Sequence, residues 1–494
     1  PSTYAVVSWV FLRLMGIVYV FAFLSLATQI VGLAGHDGIS PAALFMDSAR
    51  AALSTNGLDR FRLLPTLTWI GASDGTLRAL CWGGVGLAAL LTAGVLPMVT
   101  LPLLWLFYLS LSIASREFLS YQWDALLLEA GFLSIFLAPW TVFDRFRRAS
   151  EPPRLAVWLL RWLVFRLLLG SGAVKLLSGD PTWRDLTALD FHFWTQPIPT
   201  PLAWYFSRLP TWCLTSLTAV ALTIELGAPF LMLGPRRARA LACVLFIGLQ
   251  AGIALTGNYA FFNLLTASLC LLLLDDRMLA RPGLEAAPDA RPGPGQREIV
   301  SRLRKGLVSG VAVFIVPLSL FSFSSSLGID LPATGLVASL TGWLEPFRSV
   351  NTYGLFAVMT TSRPQIVVEG SDDGAVWKAY ELEYQPTDPH DALRWVAPHQ
   401  PRLDWQMWFA ALGRYESEPW FQNFCVRLLQ GSPTVLKLLR SDPFDGRPPR
   451  YVRATLYRYR FADAATHARD GVWWTRELVG EYSPVLSLSQ PARP

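Results

Sequence analysis

The stretch "SYQWDALLLEAGFLSIFLAPW", from Ser120 to Trp140, decides how the chain is read. It has the length and apolarity of a helix that crosses a bilayer, which needs about 20 mostly apolar residues. Yet it carries Asp124 and Glu129. An ionised carboxylate in hydrocarbon is costly unless a partner offsets it. The two acids therefore demand opposite charges on neighbouring segments.

The rest of the chain has the same character. Of 494 residues, 52% are hydrophobic and 16% charged, with 20 Trp and 29 Phe. Soluble domains carry about 25% charged residues, so the deficit points to a membrane protein. The net charge of +6 is gathered in short clusters between apolar runs. That pattern suits membrane-flanking loops and argues against nucleic acid as a partner. Cys81, Cys213, Cys243 and Cys270 lie in apolar runs, and Cys425 alone falls in the polar C-terminal region, which excludes a disulfide within it. No Cys/His cluster calls for a metal, no pattern calls for a cofactor, and no G-x-S-x-G, H-E-x-x-H or P-loop is present. The sequence opens at Pro1, so the true N-terminus is expected to lie upstream; the first apolar run is too long for a cleaved signal peptide.

About nine spans are expected, at 8–33, 77–96, 97–114, 121–140, 155–178, 211–233, 239–257, 259–275 and 305–327. Basic residues orient them. "FDRFRRASEPPR" (143–154), "GPRRAR" (234–239) and the Pro/Gly-rich linker at 276–304 fall on one side under this count, which places them in the cytoplasm. Everything after the last span then lies outside. The reading is a polytopic α-helical membrane bundle, 1–330, followed by an extracytoplasmic β-rich, β-sandwich-like domain at 345–485. "QIVVEGSDDGAVWKAYELEY" (365–384) reads as two strands joined at Asp-Gly, and "RYVRATLYRYRF" (450–461) alternates as well. The segment between has helical period and is read as a helical insertion.

Depth matching at about 1.5 Å per residue suggests partners. Asp124 is level with Lys175, Glu129 with Arg166, and Glu225 with Arg161. Such pairs offset desolvation and fix helix register. The sharper alternative is a polar cavity in which Lys175, tuned by Asp124, acts as a base beneath a lid of Trp183, His192 and Trp194. His36 and Asp37, in "GHDGISP", read as a turn. Trp405, Trp408 and Phe409 recur at helical spacing, either as core or as an interface face.

Six stretches resemble the lipase maturation factor family: "GHDGISP"; "SREFLSYQWDALLLEAGFLSIFLAP"; "TGNYAFFNLLTASLCLLLLDD"; "SVNTYGLFAVMTTSRPQIVVEGSDDGAVWKAYEL"; "APHQPRLDWQMWFAALGRYE"; and "DGRPPRYVRATLYRYRF". The resemblance implies a membrane factor that helps secreted lipases fold and assemble. Its animal members sit in the endoplasmic reticulum membrane with a lumenal client-holding domain, and the family supplies no catalytic residue. Arg402, Trp405, Trp408, Phe409 and Arg414 would then hold the client, with membrane lipid as the other partner. The Ala/Arg/Pro-rich, short-looped sequence points to a bacterial inner membrane, with the C-terminal domain in the periplasm. A second resemblance is local: "SGAVKLLSGDPTW" is similar to the segment carrying the catalytic lysine of vitamin K-dependent gamma-carboxylases. It implies the alternative of a membrane enzyme using Lys175 as base on a lipid-soluble or secreted substrate.

Overall fold

A computed structural model describes residues 3–279, 294–329 and 335–488. Seven of its helices are long and apolar enough to cross a membrane: α1 (Ala5–Ala27), α2 (Asp74–Ala93), α3 (Pro97–Ser115, continued by a 3-10 turn to Leu119), α5 (Arg154–Leu177), α7 (Thr211–Leu231), α8 (Arg236–Thr256) and α10 (Pro294–Ser326). Two further helices, α4 (Gln122–Leu137) and α9 (Phe262–Leu271), run between them but have only 16 and 10 residues. The expectation of about nine full spans is corrected accordingly. The apolar runs around α4 and α9 include turns at Ala138–Trp140 and Tyr259–Phe261, which lengthen the hydropathy signal without lengthening the helix. The linker expected at 276–304 is also shorter: Asp276–Leu279 is a helical turn, and the chain is helical again from Pro294. Residues 280–293 lie outside the described residues.

Local chemistry explains the breaks. The Ser73 hydroxyl accepts the Thr76 N–H at 3.3 Å and starts α2. Gly94, at φ +78°, ends it, and Pro97 opens α3 at its first turn. In α4, Asp124 reaches back to the Tyr121 N–H at 3.3 Å, a negative charge at the positive end of the helix. At the other end Arg304 donates to the carbonyls of Leu137 and Ala138 at 3.2 and 3.0 Å.

Tight helix approach holds the bundle together. A Cβ on Gly16 would meet the Thr92 backbone nitrogen at 2.8 Å, locking α1 onto α2; one on Gly172 would meet Glu225 Cβ at 2.8 Å, locking α5 onto α7. Arg13 of α1, missed in the sequence reading, pairs with Asp144 at 2.8 Å and is nearly buried.

The C-terminal domain is built on an antiparallel sheet in the order β2–β1–β5–β6, with β1 Arg363–Ser371, β2 Lys378–Ala379, β5 Tyr451–Phe461 and β6 Trp474–Leu486. The second sheet is only β3 (Glu381–Leu382) against β4 (Leu439–Ser441). The Asp-Gly turn forms as expected: Gly374 has φ +76°, and the Asp373 carboxylate accepts the N–H groups of Ala375 and Val376 at 2.8 Å each. β1 is covered on both faces, which is why "IVV" is a continuous apolar run rather than an alternating one. The helical insertion is α11 (Arg402–Leu412), lying on β1, followed by α12 (Pro419–Leu429).

Within α11, Asp404 is buried and its Oδ1 accepts the N–H groups of Tyr384 and Gln385 at 2.7 and 2.9 Å. Burial pushes its carboxyl up to about 6 despite those donors. This lies above the ordinary value of about 3.9. Its contribution to stability is therefore complete below about pH 4 and is lost as pH rises through about 6. Asp404→Asn keeps the accepting oxygen and removes the titration. Thermal unfolding from pH 4 to 7 is expected to show a declining midpoint in the parent and a flatter profile in the variant. Parallel profiles would exclude Asp404 as the source.

Candidate functional site

Both acids of the opening stretch are 0% exposed, and both bind the C-terminal region. Asp124 receives both terminal nitrogens of Arg402, at 2.6 and 2.8 Å, and the Tyr108 hydroxyl at 2.5 Å. Lys175 is not its partner. Glu129 is held by Arg166, as charge matching suggested, and also by the Tyr353 hydroxyl at 2.7 Å and the Asn351 N–H at 2.9 Å. Arg402 is 1% exposed, so it anchors the domain rather than meeting a client at the surface.

The other pairings shift as well. Lys175, near the end of α5, donates to both oxygens of Glu225 at 2.6 and 2.5 Å. Arg161 instead donates to the carbonyls of Leu272, Leu273 and Leu274 at 2.7–3.4 Å, capping the C-terminal end of α9. Depth matching failed here because it assumed that neighbouring spans start level. The segment after α5 folds into short helices, including α6 (Ala188–Thr195), and α7 starts beyond them.

Trp183 covers Lys175, with the ammonium 5.0 Å from its ring centre. His192 lies beside them, 3.4 Å from the Tyr259 hydroxyl, and burial together with the Lys175 charge pushes it down to about 4, leaving a neutral ring. Trp194 faces elsewhere: its carbonyl accepts from Arg363, and Arg460 stacks on its ring. The lid expected over Lys175 is thus Trp183 and His192 without Trp194. His36 and Asp37 are exposed on a turn, and it is the backbone carbonyls of this loop that bind Arg427 and Ser432.

The junction between bundle and domain is stitched throughout. Asn258 accepts the N–H groups of Val396 and Ala397 at 2.8 and 3.0 Å, and Gln29 accepts that of Arg402 at 2.8 Å. The Trp408 indole donates to the Thr195 carbonyl at 2.8 Å. Along the seam runs a groove of about 450 Å³ walled by Tyr121, Trp123, Phe356, Trp405, Trp408 and Phe409. Trp405 and Trp408 are buried in this wall, 3% and 6% exposed, so they are not free surface anchors. Phe409, Leu412 and Val358 do reach solvent, at 43%, 44% and 67%. Arg414 is exposed but outside the groove. The seam was hidden from the sequence because its two walls come from segments almost 300 residues apart. The one available signal was the density of aromatics in "SYQW" and "DWQMWF".

Removing one member of a buried ion pair costs about 3–5 kcal/mol, whereas replacing both by apolar groups can be close to neutral. Arg402→Met is therefore expected to lower the unfolding temperature in detergent and expose the domain to protease. Arg402→Met combined with Asp124→Leu recovers much of the loss. Additive losses in the double variant would show that the two do not act as a pair.

The sequence comparisons agree with this architecture. Residues 6–281 match the lipase maturation factor transmembrane domain, and residues 349–484 match the lipase maturation factor C-terminal domain. Lipase maturation factor 2 of Gallus gallus is 36% identical, covering 97% of this chain and 81% of the relative. The Homo sapiens protein of that name is 35% identical with 97% and 82% covered, and lipase maturation factor 1 of Mus musculus is 33% identical with 97% and 87% covered. No solved structure matches. The chain belongs to the lipase maturation factor family.

Proposed function

We propose that the chain is a membrane-anchored maturation factor whose C-terminal domain, on the extracytoplasmic side, holds a secreted lipase-like client while it folds. The seam groove carries this reading. It is aromatic, partly open through Phe409, Leu412 and Val358, and set at the junction of the two regions that match the family. Aromatic anchors in a rigid frame suit the capture of an apolar client segment. The Arg-rich loops at 143–154 and 234–239 gather near the start of α1, through Glu151 with the Tyr4 N–H and Arg236 with Asp275, whereas the domain meets the other end of α1 at Ser25 and Gln29, which supports a cytoplasmic position for the loop end. In a bacterial inner membrane the groove would then open to the periplasm.

The carboxylase-like alternative gains no support. The relatives are lipase maturation factors, Glu225 engages the Lys175 ammonium through both oxygens, and Asp124 is bound to Arg402 rather than poised beside Lys175.

Two experiments test the proposal. In a host that secretes a lipase, Phe409→Ser with Leu412→Ser is expected to lower co-purified lipase and secreted lipase activity by about tenfold or more, with the melting temperature unchanged. Full lipase activity in cells lacking the protein would overturn the function. Replacing Lys175 and Glu225 together by Met is expected to preserve lipase maturation, since the pair is removed whole. A folded double variant with no maturation activity would instead favour chemistry at Lys175.

A further inference from the structure

A pocket of about 900 Å³ opens where α4 ends and α5 and α10 begin, at the end of the bundle where Glu151 meets the start of α1. One wall is α10. Val300, Arg304 and Val308 recur at every fourth position, as do Ser301, Lys305 and Ser309, so one face of the helix lines the pocket for two turns. The facing wall is the loop that ends in Arg154 and Leu155.

The charges in this pocket do not balance. Arg154, Arg304 and Lys305 line it against a single acid, Glu151. Glu151 is drawn towards α1, where its two oxygens accept the Tyr4 N–H at 3.2 and 3.1 Å. Arg304 donates to the carbonyls of Leu137 and Ala138, and no carboxylate pairs with Arg304 or Lys305 among the described residues. Lys305, Ser301 and Ser309 are exposed on the wall, so their donors open into the pocket. Two cations without a counter-ion, flanked by hydroxyls, suit an anion with several acceptor oxygens, and a phosphodiester has that form.

The surroundings separate a lipid phosphate from a free one. One turn beyond Arg154, on the same face of α5, Trp158 is 46% exposed; one turn beyond Ser309 on α10, Val313 is 68% exposed. Both helices are long and apolar enough to span a bilayer, so the polar walls run directly into surface that meets lipid tails. Trp140, 38% exposed at the pocket itself, and Trp158 have the placement of interfacial indoles at headgroup level. A soluble anion would leave that adjoining apolar surface unused. A zwitterionic headgroup would bring a further cation into a pocket that is already positive.

We propose that this pocket holds the headgroup of an anionic phospholipid, of the phosphatidylglycerol class, drawn from the leaflet at that end of the bundle. The phosphate sits between Lys305 and Arg154 beside the Ser301 and Ser309 hydroxyls, and the first methylenes of its chains lie on Trp158 and Val313. Arg304 adds its charge from the end of α4. The site shares no residue with the seam groove and does not depend on the client.

Native mass spectrometry of the full chain in detergent tests this, with phosphatidylglycerol and phosphatidylcholine of identical chains titrated in turn. The chain is expected to retain one phosphatidylglycerol at least about tenfold more tightly than phosphatidylcholine, and Lys305→Gln with Arg154→Gln is expected to lose at least about tenfold of that affinity. Arg147→Gln with Arg237→Gln removes two exposed charges near the same end but outside the pocket, and is expected to change it by less than about twofold. Excess inorganic phosphate leaves the lipid in place. Thermal unfolding without added lipid establishes that each variant is folded, and Lys305→Gln alone replaces the first double variant if that is not. Equal retention of the two lipids, affinity unchanged in the pocket variant, or an equal loss in the Arg147 and Arg237 variant would each overturn the proposal. So would displacement by inorganic phosphate, which would mark a site for soluble anions.

Discussion

Two buried carboxylates on one short helix hold this molecule together. Asp124 and Glu129 are placed on α4 where no water reaches them, and each is satisfied by groups delivered from beyond residue 345. An unpaired carboxylate there would be strongly unfavourable, so the bundle is complete only when the C-terminal domain is docked. This inverts the usual view of a membrane anchor carrying a free extramembrane domain. Arg402 fills a position inside the bundle's own polar network, with Tyr108 and the Phe118 carbonyl as its other acceptors.

That dependence explains the rigidity of the seam. Asn258, Gln29 and Ser25 all offer side chains to backbone groups of residues 394–402, so the entry to α11 is fixed before its aromatic face is presented. The groove is consequently a feature of the assembled chain and not of the domain alone. The shape of the groove and the integrity of the membrane domain are coupled through the same few side chains.

Inside the bundle, charge and small residues share the work of specificity. Lipid tails are as apolar as leucine, so helix pairs are selected by close approach and by polar contacts. Gly172 lets α5 approach α7 at the level where Lys175 meets Glu225, and Arg161 is left to neutralise the end of α9. Arg13 of α1 pairs with Asp144 in the loop after α4, whose N–H in turn donates to the Gly94 carbonyl, so this loop is tied to the turn between α2 and α3, where Gly94 leaves room for the guanidinium.

Much of this was legible in the linear order of residues. Apolar runs separated by basic clusters require a helical membrane region because backbone groups in hydrocarbon must be satisfied internally. The Asp-Gly turn and alternating strands require a sheet after residue 345, and the family follows from long aromatic-rich stretches. Glu129 with Arg166 was also legible, since a buried charge needs an opposite one at similar depth. The sequence could not decide which base reaches Asp124, because Lys175 and Arg402 are equally cationic and only the crossing and stagger of helices separates them. Nor could it decide that Trp405 and Trp408 form the inner wall of a groove while Phe409 faces outward. Helical spacing places residues on a face, but what covers that face is set by segments distant in the chain, and only tertiary packing brings those segments together.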